Sequence, residues 1–192
     1  MKRFLFFLFL LILIMSCARH KSSQVNLNAE ERQIETMAEL SFLYTRLGGM
    51  ASNQFAAWIE DTQGKYVKTL YATRWTANGG WSRRSAAIPI WVKKSGLSDL
   101  SKAQIDVISG ATPKTGTLTY VWDGTDSLGS PVASGEYFLF LEGTLRWENQ
   151  VLYRALIRPG QGRSVSEVSV EYKGDADSDR QMISDVKVIT SR

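Results

Sequence analysis

Apolar and polar residues alternate with a period of two along most of the chain beyond residue 54, which predicts a succession of short, half-buried β-strands. Phe55-Ala56-Ala57-Trp58-Ile59 leads into the polar turn Glu60-Asp61-Thr62-Gln63-Gly64. Residues 65–73 then return, with Tyr66, Lys68 and Leu70 opposed to Val67, Thr69 and Tyr71. Two β-rich runs joined by a glycine-containing turn predict an antiparallel hairpin. A further short strand is predicted over 104–108, broken by Ser109-Gly110-Ala111-Thr112-Pro113. Over 117–122, Leu118, Tyr120 and Trp122 fall on one face; a turn opens at Asp123-Gly124, and Gly135-Glu136 leads into a strand over 137–141. Residues 120–143 thus read as a strand, a long turn and a second strand. Strand patterns also cover 151–157, 165–172 and 183–189. Seven or eight short strands separated by turn signals predict an all-β fold, an antiparallel sandwich.

Three segments depart from this pattern. Residues 30–47 fit two periods: Ile34, Met37, Leu40, Tyr44 and Leu47 form a helical stripe, while Ala38, Leu40, Phe42 and Tyr44 alternate as a strand would. The strand reading, over 36–45, is the preferred one. Residues 74–100 carry Trp75, Trp81 and Trp91 among Arg83, Arg84, Lys93 and Lys94 and predict one long Trp-rich excursion with a short helix. Its tryptophans argue for order, since disordered segments are poor in aromatics. At the start, Lys2 and Arg3 precede an unbroken apolar run from Phe4 to Met15. That run is too short to span a bilayer and has the form of a signal-peptide core.

Composition narrows the chemistry. The formal net charge of +4 over 192 residues is too mild to argue for nucleic acid. The chain has one cysteine, Cys17, and one histidine, His20, both within the first 20 residues. The domain downstream therefore offers no disulfide, no thiolate metal ligand and no Ser-His or Cys-His pair. Asp175-Ala176-Asp177-Ser178-Asp179 starts like a calcium loop, but Arg180 stands where such a loop needs glycine and Val186 where it needs glutamate. A polar turn is the expected reading.

Ile14-Met15-Ser16-Cys17 resembles the lipobox of bacterial lipoproteins. The resemblance implies cleavage before Cys17, lipidation of its sulfur, and a division into a signal peptide (1–16), a lipidated tether (17–29) and a single β-sandwich domain (30–192). A lipid anchor would place the domain in the cell envelope facing the periplasm. Ala18 lacks the acidic character associated with inner-membrane retention, which favours the outer membrane. Trp122-Asp123-Gly124, Asp126, Gly129, Val132, Gly135 and Tyr137 resemble the hairpin of the immunoglobulin-like domain of flagellar hook-capping proteins. That likeness implies an immunoglobulin-like sandwich, with Asp123 and Asp126 bonding turn amides, Gly129 and Gly135 at positive φ, and Trp122 packing on Tyr137. Across roughly 50–160, AAWIEDTQGKYVKTLY, Trp75, Gly79-Gly80-Trp81, IPIWVKKSG, DVISGAT and the WDG stretch are similar, in that order, to domain-of-unknown-function family 2271. These are predicted periplasmic proteins, often found near membrane PepSY proteins and flavin transferases.

Asp106-Val107-Ile108-Ser109-Gly110-Ala111-Thr112 resembles the flavinylation motif D-x-x-[ST]-G-A-[TS] of redox proteins. The resemblance implies FMN esterified through its phosphate to Thr112. Gly110 and Ala111 give clearance around that hydroxyl, and Asp106 and Ser109 are expected to fix the loop through backbone bonds. Pro113 directly after the acceptor departs from the usual setting, and a tight loop between strands is the plainer reading. Trp75, Trp81, Arg83, Arg84 and Trp91 are candidate contacts for a ring and its phosphate, or for a partner; the plainer alternative is a loop whose tryptophans cover the core. Two functions follow. One is a flavinylated electron carrier, not itself an enzyme, modified by a flavin transferase and working with a PepSY-type membrane reductase. The other is a cofactor-free envelope binding or assembly module.

Overall fold

In a computed structural model, residues 36–49, 51–175 and 179–191 are described. The expected signal peptide, Cys17 and the tether lie outside these residues, as do positions 176–178 of the acidic turn.

Among the described residues the alternating patterns form ten strands: β1 (Ala38–Tyr44), β2 (Ala51–Asp61), β3 (Tyr66–Thr73), β4 (Ser109–Gly110), β5 (Gly116–Trp122), β6 (Tyr137–Arg146), β7 (Gln150–Ile157), β8 (Ser164–Ser166), β9 (Val168–Lys173) and β10 (Ile183–Thr190). They build two sheets, with strand orders β5-β1-β10-β8 and β4-β3-β2-β6-β7-β9. The sheets face each other across a core in which every second residue points inward. Leu40, Phe42, Tyr44 and Trp122 come from one sheet, and Phe55, Ile59, Leu139, Leu141, Tyr153 and Ile157 from the other. The ambiguous segment at 36–45 is a strand, because both neighbours of β1 pair with it antiparallel and Leu40, Phe42 and Tyr44 enter this core.

Four expectations need correction. First, 104–108 is part of a helix, Lys102–Ile108. Ser101 and Gln104 form a capping box at its start: Gln104 Oε1 accepts from the Ser101 amide (2.9 Å), and Ser101 Oγ accepts from the Gln104 amide (3.4 Å). Second, the two strands of the 120–143 stretch do not pair. β5 bonds to β1 while β6 bonds to β2 and β7, so the connection crosses from one sheet to the other. Third, the 165–172 run divides at Glu167, β8 joining one sheet and β9 the other. Fourth, one pairing is parallel: Ala72 and Thr73 of β3 lie opposite Ser109 and Gly110 of β4.

The crossing connection keeps its expected internal bonds. Asp126 Oδ1 accepts from the amides of Leu128 and Ser130, each at 2.9 Å. Asp123 Oδ1 accepts from the Thr125 amide and is paired with Lys68 at 2.9 Å. Trp122 meets Tyr137 edge-on at 5.0 Å, but across the sandwich rather than along a hairpin. Gly124 and Gly129 take positive φ; Gly135 does not.

The excursion forms a third layer on the outer face of the larger sheet. Ala77, Ile88, Trp91 and Leu97 pack there on Ala56, Trp58 and Ala72, with Phe140 and Leu152 at the margin. Polar side chains of the sheet face hold this layer. Gln54 Oε1 accepts from the Thr76 hydroxyl at 2.9 Å, and Thr144 Oγ1 accepts from the Ile88 amide at 2.8 Å. Glu142, fully buried, accepts from the amides of Ile90 (3.1 Å) and Trp91 (2.8 Å) at the start of the Pro89–Lys94 helix. Ile88 stands at φ 43°, in a region a β-branched residue rarely adopts. The bonds of its own amide and the next two oppose its relaxation.

Candidate functional site

The motif segment begins where the Lys102–Ile108 helix ends and β4 adds to the edge of the six-stranded sheet. Its anchor is Tyr71 of β3. The Tyr71 ring lies against Gly110, where a Cβ would come within 2.7 Å of Cε2. Its hydroxyl donates to the Ala111 carbonyl at 2.7 Å. The ring packs against both Phe55 (5.2 Å) and Tyr120 (4.8 Å), and burial pushes its hydroxyl above the ordinary phenol value. Asp106 and Ser109 do not play the anchoring part expected of them. Asp106 is exposed on the helix and its carboxylate makes no hydrogen bond among the described residues, while Ser109 Oγ is buried without a partner.

Thr112 follows this pinned segment. It is half-buried, and its hydroxyl bonds to nothing among the described residues. Three residues on, Thr115 Oγ1 accepts from the Arg46 amide at 3.0 Å, fixing the far end of the loop. The segment is thus tied on both sides of a hydroxyl that is left available.

Gly110→Ala is expected to cost about 1–3 kcal/mol, because the methyl meets a ring that two other rings hold in place. Urea unfolding checks it; an unchanged midpoint would show that Tyr71 moves aside freely.

The five Trp and Arg candidates do not converge. Trp91 is fully buried and its indole donates to Thr69 Oγ1 at 2.8 Å. It supports the third layer and offers no face to a ligand, so its place among the candidate contacts is corrected. Arg84 donates to the Trp147 carbonyl. Arg83 is exposed. Trp81, half-buried, lines a shallow depression of about 410 Å³ with Ser82, Pro89 and Lys93. Trp75, 43% exposed, is the one exposed residue of the three tryptophans.

Two carboxylates at turn positions have structural partners. Glu60 accepts from the Trp58 indole at 2.7 Å and pairs with Lys94 at 2.8 Å, and Glu136 pairs with Arg158 at 2.6 Å. Among the described residues no cluster of His, Cys, Asp and Glu could hold a metal ion. A concavity of about 800 Å³ lies at the opposite edge of the six-stranded sheet from Thr112, between β7, β8 and β9. Sequence reasoning missed Tyr71 and Glu142; neither has a local signal, since each acts on a segment far along the chain.

The architecture is that of a mostly antiparallel two-sheet sandwich with a helical layer on one side. A family model described as "Predicted periplasmic protein (DUF2271)" matches residues 38–178, and the chain belongs to that family. No curated protein and no solved structure matches it. Among the described residues no helix is long and apolar enough to cross a membrane.

Proposed function

We propose that this predicted periplasmic protein carries FMN covalently on Thr112 and serves as an electron carrier. In this reading an immunoglobulin-like sandwich, anchored through a lipid on Cys17 at the outer membrane, presents the cofactor to a PepSY-type membrane reductase. The observation that supports it is the unbonded, half-buried Thr112 hydroxyl on a backbone held by Tyr71 at one side and Arg46 at the other. The residues fit the group. Ala111 beside the hydroxyl is small and exposed, and Ser109 Oγ, buried without a partner, is a donor that nothing else in the loop explains.

In the attachment step a flavin transferase presents a flavin dinucleotide, and the Thr112 oxygen attacks its pyrophosphate at the FMN phosphorus. The Oγ–P bond forms, the P–O bond to the leaving adenosine monophosphate breaks, and the hydroxyl proton passes to solvent or to the transferase. The protein's part is positional: a fixed backbone lowers the entropic cost of bringing the hydroxyl to the donor. Once bound, the flavin supplies reversible one- and two-electron chemistry.

Co-expressed with a flavin transferase, the full chain should fluoresce in a denaturing gel and gain the mass of one FMN. Thr112→Ala should abolish both signals and leave the melting temperature unchanged. A chain that stays colourless while a control acceptor is labelled rules the reading out. The alternative is the cofactor-free envelope module, for which exposed Trp75 and Arg83 and half-buried Trp81 are the contacts.

A further inference from the structure

We infer that Arg74 and Trp75 form a noncovalent seat for the flavin, with Arg74 meeting the phosphate and Trp75 the ring system; this rests on the attachment at Thr112. The juxtaposition comes from the one parallel pairing in the fold. Thr73 lies opposite Gly110, and the two strands run the same way. Arg74 and Trp75 therefore leave the end of β3 beside the point where Ala111 and Thr112 leave the end of β4. Each lies one or two residue lengths beyond a single hydrogen-bonded pair, and a residue spans at most about 3.6 Å.

Both side chains have the properties a seat needs. Trp75 turns one face of its ring to Gly80, where a Cβ would come within 2.5 Å of Cδ2 and Cε3, while 43% of the residue remains exposed. An indole packed on fixed backbone while much of the residue stays open is suited to stacking on a planar ring. Gly80 is the residue that permits this closeness. Arg74 is exposed and has no acidic partner among the described residues. Its charge acts on the Tyr71 hydroxyl, the group that bonds to the Ala111 carbonyl. Arginine is suited to a phosphate because its planar fork gives paired charge-assisted bonds.

The test uses the full chain carrying Thr112→Ala, in which no ester can form. FMN and riboflavin, which lacks the phosphate, are titrated while flavin emission is followed. Both should be quenched on binding, with FMN held about tenfold more tightly. Adding Arg74→Gln should erase that preference and leave riboflavin binding as it was. Adding Trp75→Leu should remove the quenching, and Trp75→Tyr should restore part of it, with thermal melting confirming that each variant is folded. Equal affinity for the two flavins, or quenching that survives Trp75→Leu, overturns the seat. Failure of the attachment reads out separately: a wild-type chain that is never labelled, yet prefers FMN in solution, refutes the ester and keeps the seat. A labelled Thr112 with unquenched emission does the reverse.

Discussion

Between about pH 4.5 and pH 7 the folded protein is expected to lose stability as pH rises, and Glu142→Gln should remove most of that loss. Burial pushes the Glu142 carboxyl up from its ordinary 4.5 to about 7, against the pull of the Trp91 and Ile90 amides. In the unfolded chain the same group ionises near its ordinary value. Within this window the native state holds a proton that the unfolded state has released, so raising pH favours unfolding. The contribution is complete below the unfolded value and gone above the folded one. Its size is on the order of 3 kcal/mol, or roughly 10 °C in melting temperature for a domain of this size. The sole histidine, His20, precedes the sandwich, so no histidine of the domain titrates in the same range. Melting curves from pH 4 to pH 8 for the two proteins check this. Parallel curves would show that Glu142 is charged in both states.

Trp122→Ala should be the most damaging single change in the sandwich, at about 3–5 kcal/mol. The side chain is fully buried, its indole donates to the Thr125 carbonyl at 2.9 Å, and its ring meets Tyr137 of the other sheet. Truncation opens a cavity, orphans a carbonyl and loosens the crossing connection together. Tyr137→Phe is the milder control, losing the bond to the Ala133 carbonyl and about 1 kcal/mol. Urea midpoints give both values. If Trp122→Ala costs no more than Tyr137→Phe, the ring does not join the sheets.

The strands were legible because their burial is set by alternation, which is local. Leu40, Phe42 and Tyr44 show their inward face in the bare sequence, and so do Leu118, Tyr120 and Trp122. Partners were not legible. A period of two tells which face a residue occupies and nothing about which strand lies beside it, so the 120–143 stretch gave both its strands and concealed that they belong to different sheets. Composition misled at 104–108, where Ile105, Val107 and Ile108 look like strand residues. Yet the Ser101–Gln104 cap was there to be read, and Val107 is 86% exposed, on the open side of a helix. At the candidate site the motif placed Ser109 to Thr112, but their support comes from Tyr71, through a parallel pairing that no short window contains. Glu142 was hidden for the same reason. Its position is an outward-facing one on a strand until a helix from some fifty residues earlier in the chain is laid over it.

β1 is the first described strand, and it lies inside its sheet, bonded on one side to β5 and on the other to β10. A pull applied at Ala38 would therefore act along the length of a strand whose ladders run on both flanks. The bonds of such ladders lie across the strand, so tension loads them in shear and together rather than peeling them one at a time. A strand bonded on both flanks therefore resists being drawn lengthwise out of its sheet.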